Sequence, residues 1–262
     1  MARRNLYLHE VVDIVGQGQY AYMEHARKEP TNAMADMLTL QGSFFVCAMG
    51  GGRWPQVVNI WDVGERGWDG WAANVDRLNL KRRNAFYGDW WDEAAQWRTG
   101  GFDRLCGGAP GSPSTAEIGD RGVRGSLFVH QLLTVRPGSA LEYLSGVVDE
   151  QVPVWRDHGH EPTGIYEVLA NQHEVVVVWA TTVSAQAAMR ASRDGALGFD
   201  DGDRSRDEDG PNVDPDDRLV AWERTATQLV TGGDTQLMTP LPGTVYGPTD
   251  WEDASLDDWL GA

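Results

Sequence analysis

The stretch LYLHEVV at Leu6–Val12 decides the fold, because the stretch LFVHQLL at Leu127–Leu133 repeats its pattern in the second half of the chain. Both runs are mostly apolar and rich in residues that favour β-strands. Both also carry a histidine at the same position, His9 in the first run and His130 in the second. An internal period as long as a domain predicts two copies of one fold in tandem.

Further landmarks follow the two histidines in the same order. In each half a tyrosine lies 13 residues after the histidine, an aromatic residue follows in the next apolar run, and a tryptophan ends the run after that. The paired landmarks are Tyr22 and Tyr143, Phe44 and Tyr166, and Trp61 and Trp179. The repeat therefore extends over both halves and is not confined to one strand.

Each half reads as strand, helix, strand, strand, one or two helices and a last strand. This order predicts an α+β fold made of two tandem ferredoxin-like repeats, each with an antiparallel sheet and its helices on one face. The two exposed sheet faces are expected to pack sheet to sheet within one chain. We expect a first repeat at 1–110, a linker at 111–125, a second repeat at 126–243 with an acidic insertion at 198–217, and an acidic C-terminal tail at 244–262.

The chain resembles tandem dimeric α/β-barrel proteins, and within that superfamily it is most similar to the NIPSNAP family. The resemblance rests on the first strand of each half, on the Pro137-Gly138 helix start, on the helix end at Trp155–Gly159, and on the paired tryptophans. It implies the ferredoxin-like fold named above. The superfamily also contains cofactor-independent monooxygenases, isomerases, dehydratases and haem proteins, so the resemblance leaves the activity open.

The net charge of the chain disfavours some classes of binding partner. The chain has 262 residues and a formal net charge of −17, and an acidic surface repels both nucleic acid and anionic membranes. No run reaches the roughly 18 apolar residues that span a bilayer, and no apolar signal region is seen. We expect a cytoplasmic, bacterial protein with a small-molecule ligand, and we leave self-association into a homo-oligomer open.

The insertion at 198–217 carries nine acidic residues and two arginines. So few apolar groups cannot offset the entropy of ordering the chain. We therefore predict a mobile excursion that can be shortened without loss of the fold.

His9 and His130 are the leading candidates for chemistry. A histidine among apolar strand residues can have a pKa suited to proton transfer near neutral pH, and it can equally be a core residue with one hydrogen-bond partner. Tyr22 and Tyr143 are added as catalytic candidates, because a phenol can orient a substrate or donate a proton. Candidate substrate-binding residues are the remaining paired aromatics, Phe44, Trp61, Tyr166 and Trp179.

The favoured function is an enzyme that acts on an apolar or aromatic small molecule by general acid–base chemistry, without a cofactor or a bound metal. Elimination or isomerisation suits these residues better than hydrolysis, because no activated nucleophile is visible. The substrate is expected between the sheet and the helices of the first half, where seven of the tryptophans lie before residue 120. One alternative is a haem protein of the same superfamily, and another is a non-catalytic module that binds a partner through the acidic insertion and tail.

Overall fold

Eight antiparallel strands form one closed barrel in the computed structural model. The structure describes residues 4–28, 38–47, 49–64, 66–76, 85–171, 173–199 and 213–247. The strands are β1 (Leu6–Ile14), β2 (Thr39–Val46), β3 (Gln56–Asp62), β4 (Arg98–Gly108), β5 (Leu127–Val135), β6 (Glu161–Val168), β7 (Glu174–Thr181) and β8 (Val230–Pro240). Around the barrel they follow the order β1-β3-β2-β8-β5-β7-β6-β4.

Helices lie in the connections between the strands. The first half contains α1 (Gln19–Lys28), α2 (Gly67–Val75) and α3 (Ala85–Ala94), and the segment between the halves contains α4 (Thr115–Asp120). The second half contains α5 (Ala140–Gly146), a π-helical turn (Val147–Gln151), α6 (Val152–Asp157), α7 (Val183–Ala196) and α8 (Asp217–Ala226).

The two halves have the same strand order, β4-β1-β3-β2 in the first and β8-β5-β7-β6 in the second. The predicted α+β class and the antiparallel sheet are confirmed. The sheets do not form two separate stacked layers, because β2 pairs with β8 and β4 pairs with β6. These two ladders satisfy the edge N–H and C=O groups that separate sheets would leave open. That the halves arose by duplication stays a prediction.

Side chains alternate between the barrel interior and the helix-covered outer face. In β7, Val176 and Val178 pack inside the barrel, while Val175 and Val177 pack in the cluster that includes the helices of the second half. All four valines are essentially inaccessible to solvent, which explains a strand with no polar face.

The segment between the halves and the start of the tail contain structure that the sequence analysis did not predict. Ser114 and Glu117 form a capping box, which satisfies free N–H groups and starts α4 inside the predicted linker. Tyr246, assigned to the tail, is fully buried among the aromatic residues of the barrel interior. Residues 200–212 of the acidic insertion and 248–262 of the tail lie outside the described residues. In the described part, no helix has the length and hydropathy needed to cross a membrane.

Candidate functional site

The two predicted catalytic histidines meet inside the barrel. His9 Nε2 and His130 Nε2 are 2.8 Å apart, and the two rings are nearly parallel with centroids separated by 5.1 Å. His9 stands on β1 and His130 on β5, and both are almost completely buried. The sequence repeat therefore corresponds to direct contact between the two equivalent positions.

Protonation of this pair is unfavourable. Burial lowers the pKa of both imidazoles, for His130 to about 4, and the positive charge of Arg104 lowers both further. The proximity of His130 also lowers the pKa of His9. The Nδ1 atom of each ring is buried with no hydrogen-bond partner. In this environment both imidazoles are neutral at neutral pH, with one proton lying between the two Nε2 atoms.

The histidines face away from the space that the sequence analysis assigned to the substrate. Alternation on β1 places His9 on the barrel side and its neighbour Glu10 on the helix side. Neither histidine is among the residues that line three cavities of the described part of the chain, those beside Tyr143, Arg124 and Arg104. The expected arrangement, a histidine projecting between sheet and helices, does not form. A catalytic role for the pair stays a prediction.

The predicted substrate-binding aromatics are divided between the two faces. Phe44 and Tyr166 lie in the barrel interior, where Phe44 packs against Phe128 with ring centroids 4.7 Å apart. Trp61 and Trp179 lie on the outer face under the helices. The structure therefore does not bring these four residues into one pocket.

The outer face of the first half carries a buried acidic group that the sequence analysis did not select. Glu10 Oε2 accepts hydrogen bonds from Trp61 Nε1 at 2.6 Å and from Asn59 Nδ2 at 3.1 Å. Asn59 is itself fixed, because Ser43 Oγ donates to its Oδ1 at 2.6 Å. Tyr22 completes the cluster, since Asn59 Nδ2 also lies 3.4 Å from its hydroxyl.

A second carboxyl group stands beside Glu10. Asp103 on β4 is the cross-strand partner of Glu10, and side chains directly opposite in an antiparallel pair have Cβ atoms about 5 Å apart. Burial raises the pKa of Glu10, and the charge of Asp103 adds to the rise, against the hydrogen bonds from Trp61 and Asn59. Burial also raises the pKa of Asp103, with Arg98 opposing it. Two such neighbours favour a state in which the pair holds a proton.

Tyr22 is held in its neutral form. Burial raises the pKa of its phenol above the ordinary range, and the negative charge of Glu10 raises it further. The hydroxyl is therefore a hydrogen-bond donor at every physiological pH. Tyr22 contacts the Asn59 that binds Glu10, so its hydroxyl adjoins the carboxyl group. A catalytic role for Tyr22 stays a prediction.

The second half has the same arrangement with an amide in place of the acid. Gln131 Oε1 accepts a hydrogen bond from Trp179 Nε1 at 3.0 Å, as Glu10 does from Trp61. The cross-strand partner of Gln131 is Thr235, at the position of Asp103. Gln131, Thr235 and Tyr143 line a cavity of about 310 Å³ between the sheet and the helices. The two halves therefore share the same hydrogen-bonded arrangement, but the cross-strand pair consists of two carboxyl groups in the first half and of Gln131 and Thr235 in the second.

Glu10 and Asp103 could have been found from the sequence only in part. The alternation rule places Glu10 on the face opposite His9, yet it does not say which face the helices cover. Asp103 becomes its neighbour through the register of β1 and β4, which joins residues far apart in sequence. The repeat offered one signal, because Glu10 stands where the second half has Gln131.

No group of three or more His, Cys, Asp or Glu side chains in the described part of the chain is arranged to hold a metal ion. Histidine is absent from the described lining of the second-half cavity. A haem ligated by histidine, as one alternative requires, would therefore need a different position in the chain.

Comparison with solved structures identifies the fold. A candidate monooxygenase from Fusobacterium nucleatum is similar over 92% of this chain and 94% of its own, with 9% identity and a TM-score of 0.55. An anthrone oxidase-like protein is similar over 90% of this chain and 91% of its own, with 12% identity and a TM-score of 0.57. The fold is that of the dimeric α/β-barrel proteins.

Other comparisons add little beyond the fold. A NIPSNAP domain protein from Burkholderia xenovorans aligns with 44% of this chain and 94% of its own, at 16% identity and a TM-score of 0.31. No protein-family model and no curated protein matches the chain. The two similarities described first show the fold alone and leave the activity to be argued from the site.

Proposed function

We propose that this dimeric α/β-barrel protein is an enzyme that moves a proton on an apolar or aromatic small molecule, using Glu10 and Asp103 and no cofactor. The observation that carries the proposal is the pair of facing carboxyl groups on the helix side of the first half. Two neighbouring acids with raised pKa values supply one base and one acid at the same pH.

We assign a role to each group within this proposal. Glu10, held by Trp61 and Asn59, removes a proton from a carbon next to a carbonyl group of the substrate. Asp103, which is more exposed, returns a proton at a second position. The sum of the two steps is an isomerisation that needs no electron acceptor, and loss of a leaving group after the first step gives an elimination.

The surroundings of the pair favour an aromatic or apolar substrate. Trp90 packs in the same cluster as Tyr22, and its Nε1 is buried without a hydrogen-bond partner. The guanidinium of Arg98 lies 3.7 Å from the ring centroid of Trp91. Aromatic walls with one free N–H donor and one nearby cation suit a molecule that carries a single carbonyl oxygen.

Isotope exchange tests the proposal without knowledge of the product. The purified protein is incubated in D₂O with a panel of aryl ketones such as 2-tetralone, and loss of the α-proton signals is followed by ¹H NMR. We expect Glu10→Gln to slow the catalysed exchange by about 100-fold or more, the usual effect of removing a general base. The variant is expected to fold, because Gln131 occupies the equivalent position in the second half and accepts the equivalent hydrogen bond from a tryptophan.

Two outcomes would contradict the assignment. Equal exchange by the parent protein and the Glu10→Gln variant would remove Glu10 from the mechanism. Loss of exchange in Glu142→Gln, an exposed acid-to-amide change on α5, would show that the assay responds to charge and not to the site.

A further inference from the structure

The cavity of the second half has the features of a binding site separate from the carboxyl pair. It lies between the outer face of the sheet and the helices, and it has a volume of about 310 Å³. Trp155 and Trp222 contribute aromatic walls, and Gln131, Gln151 and Arg190 contribute polar groups. A largely apolar cavity of this size with a few converging polar groups is typical of small-molecule sites.

Gln151 leaves a hydrogen-bond acceptor unused in this cavity. Its side chain is completely buried, and its Nε2 lies 3.5 Å from Gln131 Oε1. The orientation of Gln131 is fixed by Trp179 Nε1, which can only donate. Gln151 Oε1 is consequently the atom that has no partner. A buried acceptor without a donor is costly, so this atom indicates a ligand group that donates a hydrogen bond.

The backbone around Gln151 is specialised. The helical run from Ala140 to Asp157 is interrupted by a π-helical turn at Val147–Gln151. Pro153 follows one residue after the turn, and its ring disturbs the carbonyl of the preceding turn while its missing N–H removes a helical bond. Single π-helical turns occur often at functional sites, because the wider turn redirects one side chain. Here the last residue of the turn is Gln151, which lines the cavity.

The rim of the cavity carries a weakly paired cation, Arg190. Arg193 Nε forms a short ion pair with Glu223 at 2.6 Å, whereas Arg190 reaches the same carboxylate only at 3.9 Å. The side chains of Arg190 and Glu223 are 43% and 39% exposed, so the cavity opens beside them. Arg193 is also paired with Asp194 at 3.1 Å, so Arg190 is the lining cation with the weaker partner.

We propose that this cavity binds a small aromatic carboxylic acid whose ring also carries a hydroxyl group. The ring packs between Trp155 and Trp222, the hydroxyl donates to Gln151 Oε1, and the carboxylate pairs with Arg190 at the rim. The ring of the ligand matches the aromatic walls of the cavity, the hydroxyl matches the unused acceptor, and the carboxylate matches the weakly paired cation. The inference does not rest on the proton transfer proposed for the first half.

Isothermal titration calorimetry of the full chain tests the proposal with four probes: 4-hydroxybenzoate, 3-hydroxybenzoate, benzoate and phenol. The two hydroxybenzoates differ only in the position of the hydroxyl group. We expect a hydroxybenzoate to bind most tightly. Gln151→Leu is expected to weaken hydroxybenzoate binding about tenfold and to leave benzoate unchanged, because only the hydroxyl uses the amide oxygen. Arg190→Gln is expected to weaken both carboxylates and to leave phenol unchanged.

Controls separate recognition from folding. Gln151→Met keeps the length of the side chain and should give the same loss, and thermal melting followed by circular dichroism checks that each variant is folded. Gln228→Leu makes a matched change at an exposed position of the second half and should bind like the parent. The proposal is overturned if no probe binds, or if Gln151→Leu weakens benzoate and hydroxybenzoate equally.

Discussion

His9 Nε2 and His130 Nε2 approach to 2.8 Å inside the barrel, so the two imidazoles share one proton across the boundary between the two halves. One ring must then present a bare Nδ1 and the other an Nδ1–H, and neither atom has a partner. Arg104 is the nearby cation that disfavours further protonation, and Glu174 neutralises Arg104. The barrel interior is therefore sensitive to acid.

The first prediction concerns stability below neutral pH. The folded-state pKa of His130 is about 4, below the value of about 6.5 for an exposed histidine, so the unfolded chain binds more protons between these values. The histidine contribution is fully present above pH 6.5 and is lost as the pH falls toward 4. We expect a loss on the order of 3 kcal/mol in the free energy of unfolding, measured by urea titration.

The control for this experiment is the double variant His9→Leu/His130→Leu. Its free energy of unfolding should depend less steeply on pH over the same range, because it lacks the two titrating histidines. The carboxyl groups contribute equally in both proteins. His173→Gln, at an exposed hairpin position, should keep the parent slope. Parallel curves for the parent and the double variant would show that the pair is not the acid-sensitive element.

The histidine pair also shows which features of the fold could be predicted from the sequence and which could not. The repeat predicted two equivalent strands with equivalent histidines, and the apolar runs and turns predicted the sequence of strands and helices along each half. Contact between the histidines was not predicted, because it depends on β2–β8 and β4–β6 pairing across the chain. Such pairing is set by tertiary geometry and leaves no local signal.

The same limit applies to the helix-covered face. A period of two places Glu10 and His9 on opposite sides of β1, but which side the helices cover follows only from packing. The π-helical turn at Val147–Gln151 and the burial of Tyr246 likewise depend on contacts with distant strands. The sequence therefore predicted the strands that carry the candidate site better than the side chains that form it.

A second prediction concerns the stability of the Glu10→Gln variant. The pKa of Glu10 is raised by burial, so the acid stabilises the fold only when protonated, and this contribution is lost as the pH rises through the raised pKa. Replacing it with glutamine removes the cost of a buried charge. We expect a higher melting temperature than the parent at pH 8 and a much smaller difference at pH 4, measured by calorimetry. A variant less stable at pH 8 would contradict the raised pKa.

Arg104 and Glu174 give a third prediction. Arg104 Nε lies 3.0 Å from Glu174 Oε2, and the two side chains are only 10% and 19% exposed. Glu174→Gln leaves a buried guanidinium without its counter-charge, which costs about 3 kcal/mol in comparable pairs. Urea unfolding at neutral pH should show this loss. The double variant Arg104→Met/Glu174→Met should recover most of it, and failure to recover would point to lost packing instead.

Haem binding is the subject of a fourth prediction. His158 and His160 are bound to Asp216 and Gln186, and no described histidine lines the second-half cavity. His173 lines a separate cavity, where it is exposed to solvent beside the ion pair of Arg104 and Glu174. We therefore expect titration with hemin to give no Soret spectrum of a histidine-ligated haem. A Soret band near 400 nm that disappears in a single histidine variant would instead support the haem alternative.

The last prediction uses Gly146 to narrow the second-half cavity. A Cβ atom at this position would lie 3.2 Å from Trp222 Cζ3, tighter than an ordinary contact, so Gly146→Ala should displace the Trp222 ring that lines the cavity. The backbone of Gly146 is helical, and alanine favours a helix by about 0.5–1 kcal/mol over glycine, which offsets the crowding. We expect a melting temperature close to that of the parent together with weaker binding of 4-hydroxybenzoate by calorimetry. Unchanged affinity with a folded variant would show that the Trp222 ring forms no part of the binding site.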